Sequence, residues 1–233
     1  MLGFVTSIGD ASILNKYLLA SPCLHSRTYY QSVYFNVPSA AAAFNAELDK
    51  ALQVEWLIWV HQDVYLPENW AKTIQLRLVE AQKLYPRLAV AGVYGVDNSV
   101  VPPRRAGHVL DRGYELFEPA GLPCLVDSLD EMLVAVRTDS GLRFDPALGF
   151  DFYATDIALT ASAQGLEVAV LDAGCEHWSA TRHSRNQESL ERRIVASAEH
   201  FERKWYHQFP LQTPCFFVAE TGDVARQCLA QQS

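Results

Sequence analysis

The chain has 233 residues, 49% of them hydrophobic and 20% charged, with a formal net charge of −8. That length fits one large domain or two small ones, and the composition suits a packed core rather than a disordered chain. That charge argues against a nucleic-acid binder, which usually carries a basic face, so no nucleic-acid partner is expected, while a few local groups could still hold a small anion.

The five cysteines, Cys23, Cys124, Cys175, Cys215 and Cys228, are odd in number and widely spaced, with no CxxC pair. This pattern points to reduced thiols of a cytosolic protein, not to a disulfide frame or a zinc site. The opening MLGFVTSIGD has no basic segment followed by a long apolar run, so a signal peptide is not expected. No stretch approaches the roughly 18 apolar residues of a membrane span. Peripheral attachment at the inner membrane face is compatible with all of this.

In chain order, Leu2–Thr6 reads as a first strand running into a loop at Ser7, Gly9 and Asp10. Ser12–Ala20 suits a helix capped by Ser12. Ser32–Asn36 reads as a second strand, and Pro38-Ser39 opens a helix over Ala40–Leu52. Val54–Val60 is a third strand, apolar on both faces as a central parallel strand would be. Pro67–Leu84 suits an amphipathic helix. Leu88–Val96 is a further buried strand, in which Gly92 and Gly95 signal close backbone approach. Residues 98–121 read as a long irregular segment, functional or holding a small hairpin. A strand around MLVAV, a helix over Asp151–Gln164 closed by Gly165, a strand over Leu166–Leu171 and a charged helix over Gln187–His207 follow. The alternation predicts a mostly parallel sheet with helices on both faces, whose ligands sit beyond the C-terminal strand ends.

The run WLIWVHQDVYLP stops being apolar at such an end, at His61, Gln62 and Asp63. Asp63 is an oxygen ligand of the kind Mg2+ or Mn2+ takes, and a diphosphate could supply further oxygens. His61 shares its face by strand alternation, and His177 in CEHWS also follows a strand. A plain polar strand exit would account for the same residues. In FDPALGFDFYATDIALTASAQG, Asp156 could accept a proton from an attacking hydroxyl, or simply cap a helix. Asp145 and Asp151 suit loop positions. Asp127, Asp130 and Glu131 in VDSLDEMLVAVR could hold sugar or acceptor hydroxyls, or form a solvated turn. Arg104 and Arg105 could contact phosphates.

These pieces, in this order, resemble the family 2-like glycosyltransferases of GT-A fold, notably bacterial short forms with an HQDV-type motif. The resemblance rests on AAAFNAELDKAL, WLIWVHQDVYLPENW, VDSLDEMLVAVR and FDPALGFDFYATDIALTASAQGLEVAVLDAGCEHWS. It implies a single GT-A-like domain over residues 1–210, with a Rossmann-type sheet, followed by a tail over 211–233. The implied activity is inverting, metal-dependent transfer of a sugar from a nucleotide-diphosphate donor to a hydroxyl of a glycan, lipid-linked or protein acceptor. By position, Asp63, with His177 and His61, would hold a divalent ion, Mn2+ or Mg2+. Thr6, Ser7, Asp10, Asn45 and Gln62 would face the donor, alongside Asp63. Asp127, Asp130, Glu131 and Asp151 would line the sugar and acceptor pocket, and Asp156 would be the base. His61 stands where the family's metal motif has its first aspartate, and Thr155 stands where the helix-opening acidic pair has its first member. The usual Gln-x-x-Arg-Trp motif has no clear counterpart, with Arg182, His183 and Arg185 only loosely placed to replace it. A non-catalytic nucleotide-sugar or partner-binding module on the same fold is the alternative. The sequence leaves room for a homo-oligomer.

Overall fold

The computed structural model describes residues 1–25, 28–50, 53–118, 121–179 and 187–230. Strand β1 (Leu2–Ile8) leads into helix α1 (Ala11–Lys16), then β2 (Tyr30–Phe35) and α2 (Ala40–Leu48). Next come β3 (Trp56–Val60), β4 (Val64–Tyr65), α3 (Trp70–Leu84), β5 (Leu88–Gly92) and β6 (Tyr94–Asp97). The segment expected to be irregular holds a hairpin of β7 (Arg104–Asp111) and β8 (Tyr114–Glu118). The short strands β9 (Cys124–Leu125) and β10 (Ser128–Leu129) precede β11 (Leu133–Arg137). Then come α4 (Tyr153–Ala163), β12 (Glu167–Val170), β13 (Cys175–His177), α5 (Gln187–Trp205), β14 (Leu211–Gln212), β15 (Phe217–Val218) and α6 (Asp223–Ala230). No helix among the described residues is long and apolar enough to cross a membrane.

The main sheet has the order β2-β1-β3-β11-β5-β12-β9. Strands β2, β1, β3, β5 and β12 run one way, while β11 inserts antiparallel between β3 and β5 and β9 closes the edge antiparallel to β12. The sheet is therefore mixed. Helices do cover both faces, because every residue of β3 is buried and alternate side chains enter different cores. Leu57 and Trp59 pack with α2 and α4, whereas Trp56, Ile58 and Val60 pack with α3. Helix α3 buries Trp70, Ile74, Leu78 and Ala81, one stripe at helical spacing.

Local chemistry moves several boundaries. Asp10, not Ser12, caps α1, since its carboxylate accepts from the Ser12 and Ile13 N–H groups. The expected strand Leu88–Val96 divides, with β5 in the main sheet and β6 in a second sheet of order β10-β6-β7-β13-β4. Gly95 is needed where β10 crosses, because a Cβ there would lie 2.5 Å from the Ser128 carbonyl oxygen. Residues 211–230 pack onto the rest of the chain. The Asn98 amide bonds Gln212 through both its ends, at 3.0 and 2.7 Å, and buried Glu202 accepts from Gly222 and Val224 N–H.

Helix α2 is fastened to β2 by Glu47. Its buried carboxylate accepts from Tyr30, Ser32 and Tyr34 hydroxyls at 2.6 to 2.7 Å and from Lys50 at 2.5 Å. Burial alone would raise its pKa, but those four donors outweigh it and hold the carboxyl at about 2. A carboxyl depressed on folding stabilises above its unfolded value of about 4.3, and that share is lost as pH falls toward 2. Glu47→Gln is expected to cost about 2 kcal/mol at neutral pH and to flatten the loss of stability between pH 5 and 2. Urea unfolding at pH 7 and pH 3 checks this, and an unchanged acid slope would rule it out.

Candidate functional site

Strand β3 ends at Val60, and the His61 N–H bonds the Met132 carbonyl at 2.9 Å, which fixes the exit against the start of β11. Three residues after His61, β4 begins and pairs antiparallel with β13, placing His177 opposite Val64, and the Trp178 N–H bonds the Asp63 carbonyl. Asp63 therefore lies between two imidazoles. His177 Nε2 is 3.6 Å and His61 Nδ1 is 3.9 Å from Asp63 Oδ1. One ligand atom from each of the three lies within 4.8 Å of the others, and this is the one such group of three among the described residues.

Each ring is held from its far side. His177 Nδ1 meets Asp111 Oδ1 at 3.0 Å, and Asp111 is itself paired with Arg112. His61 Nε2 meets the Tyr153 hydroxyl at 2.6 Å. Burial pushes the His61 pKa down to about 4, so that ring is neutral. Burial also opposes charge on His177, but Asp111 and Asp63 outweigh it and raise the pKa to about 10. Two imidazoles and a carboxylate suit Mn2+, Fe2+, Co2+ or Zn2+ better than Mg2+, so the residues present fit a divalent cation.

Beside this cluster lie Asp130, Glu131 and Asp151. Asp151 accepts from Arg193 Nε and Nη2, one on each oxygen, at 2.8 and 3.0 Å. Burial raises its pKa while Arg193 opposes the rise. Glu131 is pushed well above the usual carboxylate range by burial and by the charges of Asp151 and Asp130. Burial likewise raises Asp130. Phe152, between Asp151 and Tyr153, adopts the left-handed conformation (φ 67°), a strained choice for a bulky residue, at the N-cap of α4.

The Gln62 amide oxygen accepts from the Gly9 and Asp10 N–H groups at 3.0 and 3.1 Å, which brings the end of β1, extended through Ser7 to Ile8, and the Gly9-Asp10 turn beside the metal-type residues. Thr6 is buried within β1, two residues before its end, and Asp10 is engaged in capping α1. Asn45 stands apart: both ends of its amide bond the Phe144 backbone, tying α2 to the segment before α4. Asp127 accepts from the Asn98 N–H and belongs with the Asn98–Gln212 clasp. Asp156 is 1% exposed and accepts from Trp205 Nε1 and Lys204 Nζ, each at 2.7 Å. Lys204 also holds Asp145, so the structure groups Asp156 with these residues and not with the cluster around Asp63. Arg104 pairs with Asp97, and Arg105 bonds the Pro214 carbonyl. Arg182, His183 and Arg185 lie outside the described residues.

Sequence reasoning missed Asp111, Tyr153 and Arg193. Tyr153 lies within the GFDFYATD segment already singled out, whereas Arg193 sits in a charged surface-type helix and carries no local signal. An aromatic pair also escaped notice. Trp178 stacks on Tyr17 at 5.9 Å and 9°, next to His177.

No family model and no curated protein matches the chain. Among solved structures it is similar to a mannosyltransferase from Pyrobaculum calidifontis in complex with GDP-Man and Mn2+. The TM-score is 0.56 and the identity 10%, over 92% of this chain and 66% of that one, just under two thirds of its length. It is also similar to residues 1–349 of TarS from S. aureus (TM-score 0.47, 12% identity, 91% and 74% covered), a score too low to carry argument. A likeness at such identity defines the fold alone: the chain has a mixed α/β, glycosyltransferase-like fold.

Proposed function

We propose that the chain is a glycosyltransferase of the family 2-like, GT-A type. It would move a sugar from a nucleotide-diphosphate donor to an acceptor hydroxyl with inversion. The observation that carries the reading is the His61, Asp63 and His177 cluster at the exit of the interior strand β3 of a glycosyltransferase-like fold. These three residues would hold a divalent cation, Mn2+ in preference to Mg2+. When bound, the cation would offset the charge developing on the leaving diphosphate.

The chain's own groups do the rest. Gln62 fixes the Gly9-Asp10 turn after β1 beside Asp63, where the donor's base and ribose would lie. The acceptor oxygen bonds to the anomeric carbon as the bond from that carbon to the diphosphate oxygen breaks. The hydroxyl proton passes to a carboxylate. The resemblance gives that role to Asp156, but that carboxylate is 1% exposed and is grouped with Trp205, Lys204 and Asp145, not with the residues around Asp63. We therefore assign the base to Asp151, whose anion Arg193 steadies. Asp130 and Glu131 would bind sugar hydroxyls. The replacement of a metal-motif aspartate by His61 is the observation that favours the alternative, a non-catalytic nucleotide-sugar module. Metal-dependent donor hydrolysis separates the two, since a module would show none.

A thermal-shift screen of UDP- and GDP-sugars with Mn2+, with Mg2+ and with neither tests the reading. A ligand at a hundred times its Kd stabilises by about 2.7 kcal/mol. One donor is expected to raise Tm by several degrees with Mn2+, and less with Mg2+. A flat screen under all three conditions would refute donor binding.

A further inference from the structure

The Tyr153 hydroxyl has three neighbours and the means to satisfy each in one way only. A phenol carries one hydrogen and two lone pairs. The Glu131 carbonyl oxygen, at 2.7 Å, can only accept, so it takes the phenol hydrogen. The indole Nε1 of Trp59, at 2.8 Å, can only donate, so it uses one lone pair. The third contact, His61 Nε2 at 2.6 Å, must then donate to the other lone pair.

We infer that Tyr153 is a positioning residue for the metal centre, holding His61 with Nε2 protonated and Nδ1 presented to the cation. This rests on the metal reading above. A second observation agrees with it. In that tautomer the Nδ1 lone pair faces Asp63 Oδ1 at 3.9 Å, two acceptors with no hydrogen between them. Such a pair is arranged for a shared cation and is mildly repulsive without one. Tyr153 is fully buried, and its hydroxyl would be adequately bonded by Glu131 and Trp59 alone. The bond to His61 therefore exceeds what the core requires. Asp111 plays the matching part for His177, at the opposite nitrogen, so one ring would offer Nδ1 and the other Nε2.

The test is Mn2+ binding by electron paramagnetic resonance on the folded protein, with the His61 tautomer read from ring 15N–1H correlations. Groups that orient a metal-bound imidazole typically carry about 10- to 100-fold in affinity. Tyr153→Phe is expected to weaken Mn2+ binding by that factor. Trp59→Phe removes another of the hydroxyl's partners without touching His61. It serves as the control for core damage and is expected to stay within about threefold of wild type. The wild-type ring is expected to show a proton on Nε2. Tyr153→Phe binding within twofold of wild type, while Asp63→Ala does not bind, overturns the inference and leaves the metal reading standing. A wild-type Nδ1–H tautomer, or equal losses in Tyr153→Phe and Trp59→Phe, also overturns it. Failure of wild-type protein to bind Mn2+ overturns both.

Discussion

Asp63→Ala is expected to abolish measurable Mn2+ binding and to lower sugar transfer about a thousandfold, roughly 4 kcal/mol of transition-state stabilisation. Asp63 is the central member of its cluster: the distances to both imidazoles run from the same oxygen. Its pKa is kept below the ordinary carboxylate value: burial opposes ionisation, but the bond to His177 outweighs it. Without Asp63, two imidazoles face each other with no anion between them, and His177 keeps only Asp111. The fold should survive, because Asp63 holds β13 through its backbone carbonyl, which alanine retains. Isothermal titration with Mn2+ and a transfer assay on folded protein give the answer. Mn2+ affinity within tenfold of wild type would remove Asp63 from the centre.

The second large effect concerns stability. Asp156→Ala is expected to destabilise the protein by about 3 kcal/mol, the lower end for breaking a buried ion pair. The lower end applies because Lys204 is one-third exposed and retains Asp145, while the Trp205 indole is left with no acceptor. Asp156→Asn keeps an oxygen for Trp205 and should cost less. Turnover per folded molecule should stay within about twofold for both. Asp151→Asn should behave in the opposite way, losing at least about a hundredfold in turnover while keeping donor binding. Urea unfolding combined with transfer assays separates the two carboxylates. A stable Asp156→Asn protein that has lost turnover would return the base to Asp156.

The central strand was legible because a strand buried on both faces has little choice but to be apolar throughout, as WLIWV is. Its polar exit was legible for the same reason, by contrast. Helix α2 was readable from its alanine run and from Ser39, which does cap it. The insertion of β11 against its neighbours was not readable, since LVAVR looks the same in either direction. A small hairpin was one of the two readings of residues 98–121, but the proline- and glycine-rich sequence hid where its strands lie. Its signal was the two-residue turn Arg112-Gly113, both at positive φ, between HVLD and YELF. Missing that turn meant missing Asp111, which closes the strand before it. The fate of Asp156 was equally hidden. Whether a helix-opening carboxylate meets solvent or an indole depends on α5, more than thirty residues further along the chain.

Residues 61 and 177 lie more than a hundred positions apart, at the ends of strands that belong to different sheets. Bringing two such points of a chain together carries a loop-closure entropy that grows only slowly with length but is never small. Here that entropy is met when the protein folds, through the β4–β13 pairing and the groups behind each ring. An arriving ion would find its ligands already gathered, and would have to displace the proton on His177 but not to order the chain.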